Sequence, residues 1–312
     1  MPADHQHGHA GHTHRVAADA DQKRLLAALL LIGGFMTAEV VAGILVRSLA
    51  LLSDAAHMLT DAGAIALSVV ALRLATRPVT AGMTFGLRRA EILSAQVNGA
   101  TLLVLAALIV YEAIRRLVEP PEVGGWTVIV VAAVGIGVNV VATWQLAKAN
   151  RENMAVEGSF QHVLNDLYAF IGTLAAGVII VSTGFERADP IASLIVAALM
   201  LYAAWGLLRD SGRVLLEGAP AELDVEAIGM ALASHPRVSN VHDLHVWEIG
   251  TGFPSLSAHV LVPEGEDCHG IRRQLEDVLE TRFRIDHTTL QVDHEPSRVL
   301  SIGQSSTGHR DH

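Results

Sequence analysis

Between residues 25 and 208 the chain alternates long apolar runs with short polar joints. The runs fall near 25–46, 49–72, 92–114, 126–146, 154–181 and 190–208. A hydrocarbon core of about 30 Å is crossed by roughly 20 apolar residues in a helix, so each run has the length of a span. Arg47 with Ser48, Glu119-Pro120-Pro121 and residues 186–189 interrupt successive runs, and a basic segment, 73–89, separates the second from the third. The pattern predicts an α-helical membrane protein with a six-transmembrane-helix bundle. After Arg213 the period changes. ELDVEAIGMALASHP has helical spacing, VHDLHVWEI alternates as a strand does, and GTGFPS supplies a turn before a second strand, SLSAHVLV. HGIRRQLEDVLETRF then reads as an amphipathic helix and HTTLQVD as a last strand. That order predicts a small α+β domain with helices layered on one sheet face. Four segments follow: a His-rich tail at 1–22, the membrane unit at 23–211, a cytoplasmic α+β domain at 212–296 and a polar, disordered tail at 297–312.

Composition supports the membrane class and narrows the chemistry. Of 312 residues, 51% are hydrophobic and only 17% charged, with a mean hydropathy of +0.40, too apolar for an ordinary soluble globule. The formal net charge of −10 and the lack of a basic patch argue against a nucleic-acid partner. A single cysteine, Cys268, excludes an intramolecular disulfide framework and a Cys-rich zinc finger, leaving His and carboxylates to hold any metal. The first twenty residues are polar and His-rich, unlike a cleaved signal peptide.

Cytoplasmic loops accumulate Lys and Arg. With the N-terminus inside, Lys23, Arg24, Arg73, Arg77, Arg88, Arg89, Lys148, Arg151, Arg209 and Arg213 all lie inside, and Arg47, Arg115, Arg116 and Arg187 remain outside. The pair at 115 and 116 runs against the rule, although Glu112, Glu119 and Glu122 surround it. The expected protein is a multi-pass one of a bacterial inner membrane with both termini cytoplasmic.

Two pentapeptides inside the apolar runs carry the chemistry: HMLTD at 57–61 and HVLND at 162–166. Residues four apart share a helix face, so His57 with Asp61, and His162 with Asp166, each present one nitrogen and one oxygen to the same side. Each pair is half of a four-ligand zinc site. At about 1.5 Å rise per residue, His57 lies roughly 12 Å and Asp61 roughly 18 Å below one surface, with His162 and Asp166 at the same depths below the other. The second and fifth runs point in opposite directions, so the four groups converge near the midplane. A single His or Asp there can be a helix-packing hydrogen bond, but each costs at least about 2.5 kcal/mol, so four at matched depths point to a cation site. Protons compete for the same ligands, because histidine titrates near pH 6.5 and metal requires the deprotonated form. Divalent metal and protons as alternating occupants imply an antiporter. Glu39 and Asp54 stand between cation access and packing, Asn98, Asn139 and Asn165 read as packing groups, and His5, His7, His9, His12 and His14 form a flexible tail able to capture zinc.

SLALLSDAAHMLTDAGAIAL and GSFQHVLNDLYAFIGTLAAGVII, with EVVAGIL, TFGLRRAEILSAQVNG and VHDLHVW, resemble the cation diffusion facilitator family, in particular its zinc-exporting branch. The resemblance covers residues 20–296. It implies a homodimer in membrane lipid with a ferredoxin-like, metallochaperone-like cytoplasmic domain, exporting divalent metal against protons. It carries over His57, Asp61, His162 and Asp166 as transport ligands and Zn²⁺ as the transported ion and a regulatory ligand. His242, His259, His269, Asp293 and Glu295 fall where relatives hold zinc between protomers, and His245 with Trp247 share a strand face suited to the dimer contact. The segment RPVTAGMTFGLRRAE contains neither His nor Asp, so a second metal site there is not expected. Two other readings are a membrane-embedded zinc hydrolase and a metal-responsive receptor. The hydrolase lacks a His-Glu-x-x-His motif, and four filled ligands favour carriage over catalysis.

Overall fold

The computed structural model describes residues 10–45, 49–118 and 125–295; within these, the side chains of 10–19, 39, 42–43, 45, 49–57, 60, 125–128 and 131 lie outside the description. Contacts divide the chain into two compact units, Met1–Gly218 with Ile249–Gly252, and Ala219–Glu248 with Phe253–His312.

The first unit is helical: α1 (Ala10–Leu45), α2 (Leu49–Ala75), α3 (Arg89–Val118), α4 (Gly125–Ala147), α5 (Met154–Thr183) and α6 (Ala188–Leu215). α1 packs on α2 and α4, α5 on α2 and α4, and α3 pairs with α6 beside them. One apolar core joins α1, α2, α4 and α5 through Leu25, Ile32, Ile65, Val69, Leu146, Val156 and Val163. A second joins α3 to α6 through Leu102, Ala106, Val196, Met200, Ala204 and Leu207. Gly99 permits that pairing, because a Cβ there would stand 3.1 Å from side-chain atoms of Leu207 and Leu208. Large apolar side chains such as Leu108, Ile195 and Tyr202 face outward, as lipid-facing positions require.

The expected bundle of six spans is corrected here. Among the described residues, α3, α5 and α6 are the three helices long and apolar enough to cross a membrane, with Ala132–Ala147 of α4 a shorter apolar stretch. The apolar run of α1 is preceded by Asp21, Lys23 and Arg24, and the described parts of α2 and α4 fall short of the roughly 20 apolar residues that a crossing takes. Three such helices still make the chain a multi-pass integral membrane protein. A further difference concerns the N-terminus: α1 begins at Ala10, so the polar segment expected to be flexible is helical from there onward, over a run containing Ala17, Ala18 and Ala20 that favours helix. His5, His7 and His9 lie outside the described residues, as do the side chains of His12 and His14 and residues 297–312.

Arg116 places Nε 2.9 Å from Glu112 Oε1 and a terminal nitrogen 3.6 Å from Asp189 on α6, and Arg115 stands 3.8 Å from Glu112. The two cations that run against the charge rule therefore have local carboxylate partners.

The second unit contains α7 (Val225–Ala233), β1 (Asn240–Glu248), β2 (Pro254–Val262), α8 (Cys268–Phe283) and β3 (His287–His294). The sheet order is β1-β2-β3, with β1 antiparallel and β3 parallel to the central β2. Alternate β2 residues Leu256, Ala258, Val260 and Val262 meet Ile271, Leu275 and Leu279 of α8 in one core, which is the period of two in the strand set against the i, i+4 stripe of the helix. Asp224 and Asp267 cap α7 and α8 by accepting from the backbone N–H groups of Glu226 and Ala227, and of His269 and Gly270. The expected α+β domain is present, with helix, strand, strand, helix and strand in that order.

Candidate metal centre

α5 is held at both ends. Asn153 accepts from the N–H groups of Ala155 (2.9 Å) and Val156 (3.3 Å), and Gly184, at φ +73°, ends the helix with its N–H donated to Ile180. That left-handed conformation suits glycine. The Arg151 guanidinium donates twice to Glu157 in the first turn, at 2.8 and 3.0 Å; the pairing raises the Arg151 pKa. These contacts fix the helix on which His162 and Asp166 sit one turn apart.

His162 is fully buried and Asp61 is 8% exposed. His162 Nε2 lies 2.8 Å from Asp61 Oδ1, a hydrogen bond from α5 to α2. One ligand atom each from Asp61, His162 and Asp166 lies within 4.8 Å of the others. Zinc bonds of about 2.0–2.3 Å set tetrahedral ligand atoms roughly 3.4 Å apart, so small side-chain movements would bring all three onto one ion. His162 Nδ1 has no hydrogen-bond partner among the described residues. The structure thus brings together three of the four expected ligands. The backbone of His57 lies in α2 one turn before Asp61, and its side chain is outside the described residues. The side chains of Glu39 and Asp54 are also outside.

Two buried asparagines bond within their own helices, Asn165 donating to Gln161 O (2.7 Å) and Asn139 to Gly135 O (3.1 Å), whereas Asn98 of α3 donates to Ser68 Oγ of α2 (3.3 Å), where Ser68 also meets Ser94 at 3.1 Å. At the other end of the four-helix core, buried Asp21 accepts from Asn150 N at 2.9 Å and stands 3.6 Å from Arg24, whose guanidinium donates to Lys148 O. Sequence reasoning did not find this clamp between α1 and the turn after α4; the signal was a carboxylate three residues before an arginine at the start of an apolar run.

In the second unit, His242 and His259 face each other across β1 and β2 with ring centroids 5.4 Å apart. Asp243 Oδ1 lies 2.9 Å from His245 Nε2, and its other oxygen 3.9 Å from His259. The hydrogen bond from His245, reinforced by its charge, holds the Asp243 carboxyl below the usual carboxylate range. Asp243 joins because β1 bulges: His242 opposes His259 and His245 opposes Ser257, so β1 carries one residue more than β2 over this stretch, and Asp243 takes φ +55°. His269 lies in the first turn of α8, Asp293 accepts from Gln291 at 2.7 Å, and Glu295 donates its N–H to Val262 O. Among the described residues, the group at Asp61 is where three metal-ligating side chains converge within 4.8 Å. His269, Asp293 and Glu295 do not join such a group among the described residues. The hydrogen bonds that cap α8, from Gly270 N and then His269 N, hold the Asp267 carboxyl low.

A histidine and two carboxylates that converge between α2 and the membrane-crossing α5 mark a membrane protein able to hold a cation. Residues 25–216 match the family described as "Cation efflux transmembrane domain" and residues 220–295 match "Cation efflux protein, cytoplasmic domain". The chain belongs to the cation efflux family, a family of transporters and not of enzymes. It is 40% identical over 286 residues to "Zinc transporter ZitB" of Pectobacterium atrosepticum, covering 91% of this chain and 89% of that one. It is 39% identical over 312 residues to "Zinc transporter ZitB" of Shigella flexneri, covering 98% and 99%. With the "Cadmium, cobalt and zinc/H(+)-K(+) antiporter" of Bacillus velezensis, identity is 34% over 310 residues, covering 97% and 99%.

Proposed function

We propose that this chain exports a divalent cation, zinc foremost, from the cytoplasm in exchange for protons, with His57, Asp61, His162 and Asp166 as the transport ligands. The observation that carries the reading is the convergence of Asp61, His162 and Asp166 between α2 and α5. Imidazole with carboxylate suits zinc better than magnesium or calcium, and the relatives named above as zinc transporters supply the direction of the choice. Two carboxylates with neutral imidazoles cancel one dication. Protons discharge the same site, so a pH gradient drives release at about 1.4 kcal/mol per proton per pH unit.

Residues 23–211 form the carrier and 212–296 the cytoplasmic module. The working unit is a homodimer in membrane lipid. His242, His259, His269, Asp293 and Glu295 supply zinc ligands between protomers that relieve repulsion between acidic modules and let them close.

Purified protein in proteoliposomes with an imposed pH gradient tests this reading. Zinc flux that rises with the gradient, and is lost in Asp166→Ala while the protein remains folded, is the expected result. Flux indifferent to collapse of the gradient removes the proton coupling, and flux that survives Asp166→Ala removes the ligand assignment.

A further inference from the structure

Beside the carrier core, the outer face of α6 forms with α3 a groove of about 870 Å³, within the size range of ligand pockets. Its walls are apolar, with Leu103 on α3 and Leu201, Trp205 and Leu208 on α6. At the C-terminal end of α6 the same groove is lined by Arg209 and Arg213, one turn apart on a shared helix face. Both arginines are exposed. Neither has a carboxylate within ion-pair distance among the described residues, and Glu217, which follows them, is taken by Arg89 at 3.2 Å. Arg213 also answers the negative end of the α6 dipole, but Arg209 lies a turn earlier.

We infer that this groove is a binding site for an anionic phospholipid, with an acyl chain along Leu103, Leu201 and Leu208 and the headgroup phosphate between the two guanidiniums. The arrangement repeats the order of a lipid itself, apolar below and anion-seeking above, on a helix long and apolar enough to cross the membrane. Trp205, 69% exposed on the same wall, suits the interfacial level where an amphipathic ring is favoured. Gly212 leaves the groove open, since a Cβ there would meet nothing within 4 Å. The groove keeps its shape because buried Ser211 bonds to Gln96 of α3 on the adjoining face. Charge distinguishes a lipid from a second copy of the chain. A two-fold contact presents the same patch from both subunits, which here would set arginine pair against arginine pair.

The test uses the full chain in detergent, titrated with dioleoyl phosphatidylglycerol or with dioleoyl phosphatidylcholine, and bound lipid counted by native mass spectrometry. The acyl chains are identical, so a difference reports the headgroup. Each arginine near a membrane surface contributes roughly fivefold, which gives the anionic lipid a preference of about thirtyfold for the pair. Substituting both exposed side chains, Arg209→Gln with Arg213→Gln, is expected to bring the two lipids to equal affinity. Gly212→Leu, whose Cβ would meet no protein atom within 4 Å, is expected to lower binding of both. Equal affinity in the unaltered protein, or a preference that survives the double substitution, overturns the proposal. So does a Gly212→Leu variant that changes the monomer–dimer ratio with lipid binding unchanged, since the face then belongs to a second copy.

Discussion

Two clusters in this protein use the same side chains in opposite surroundings. Asp61 and His162 meet at 2.8 Å with their side chains 12% and 0% exposed, whereas Asp243 and His245 meet at 2.9 Å with theirs 56% and 65% exposed. The geometry of the two pairs is nearly equal. Their energetics are not, because the attraction between charges scales inversely with the local dielectric constant, and water screens the exposed pair. A buried pair has given up hydration and must recover it from partners. It is also where replacing a proton by a dication changes the most free energy. An exposed pair loses little when empty and can bind or release metal at small cost, which fits a sensor better than a carrier.

The largest expected effect lies in the buried cluster. His162→Ala removes a nitrogen that the other ligands cannot replace, and zinc flux in proteoliposomes is expected to fall by at least about 100-fold, since even supporting partners of metal ligands are worth roughly 10 to 100-fold. His245→Ala is expected to leave the maximal flux unchanged. Similar losses from both substitutions would erase the distinction between carrier and sensor.

Stability sharpens the same contrast. His162→Ala leaves the Asp61 carboxylate buried without its partner from α5, and breaking a buried pair costs about 3 kcal/mol. A thermal unfolding midpoint lowered by several degrees in the metal-free protein is expected. Adding Asp61→Asn to that variant, which keeps a hydrogen-bonding oxygen without the stranded charge, is expected to recover part of the midpoint and none of the flux. Recovery of flux as well would mean that Asp61 ties α2 to α5 and carries nothing.

An intermediate case is Asp21, buried yet outside the metal cluster. Its carboxylate accepts from Asn150 N, so Asp21→Ala removes a hydrogen bond to a charged group, at a cost of about 1.5 kcal/mol. The expected outcome is a lower unfolding midpoint in a thermal scan, with zinc affinity, read by calorimetric titration, retained. Weakened zinc affinity would extend the functional site to that end of the core.

These contrasts were unequally legible in the sequence. The four-residue spacing and matched depths of the two pentapeptides located Asp61, His162 and Asp166, because helical geometry turns sequence spacing directly into a shared face. The strands of the second unit were legible for the same reason, with Leu256, Ala258, Val260 and Val262 at period two. Span counting went further than the described residues, where the described stretch of α1 carries Asp21, Lys23 and Arg24 and those of α2 and α4 are short of a crossing. The clamp on Asn150 was hidden because it joins segments far apart in the chain. Asp243 was hidden because one extra residue in β1, invisible to an alternation rule, turns it toward His245 and His259.

The smallest expected effect belongs to that bulge. Because His245 holds the Asp243 carboxyl below its ordinary value near 3.8, the pair contributes stability that is present above that value and is lost as pH falls through the lowered pKa. His245→Ala is expected to return the Asp243 carboxyl toward its ordinary value, followed by its carbon chemical shift against pH in the full chain, with a change in unfolding midpoint close to the error of the measurement. High salt should shrink the shift further in the unaltered protein, because both side chains are exposed to screening. A pKa that stays low after the substitution would assign it to the bulged backbone and the neighbouring His259 and His242, and would leave the exposed pair without any energetic role to compare with the buried one.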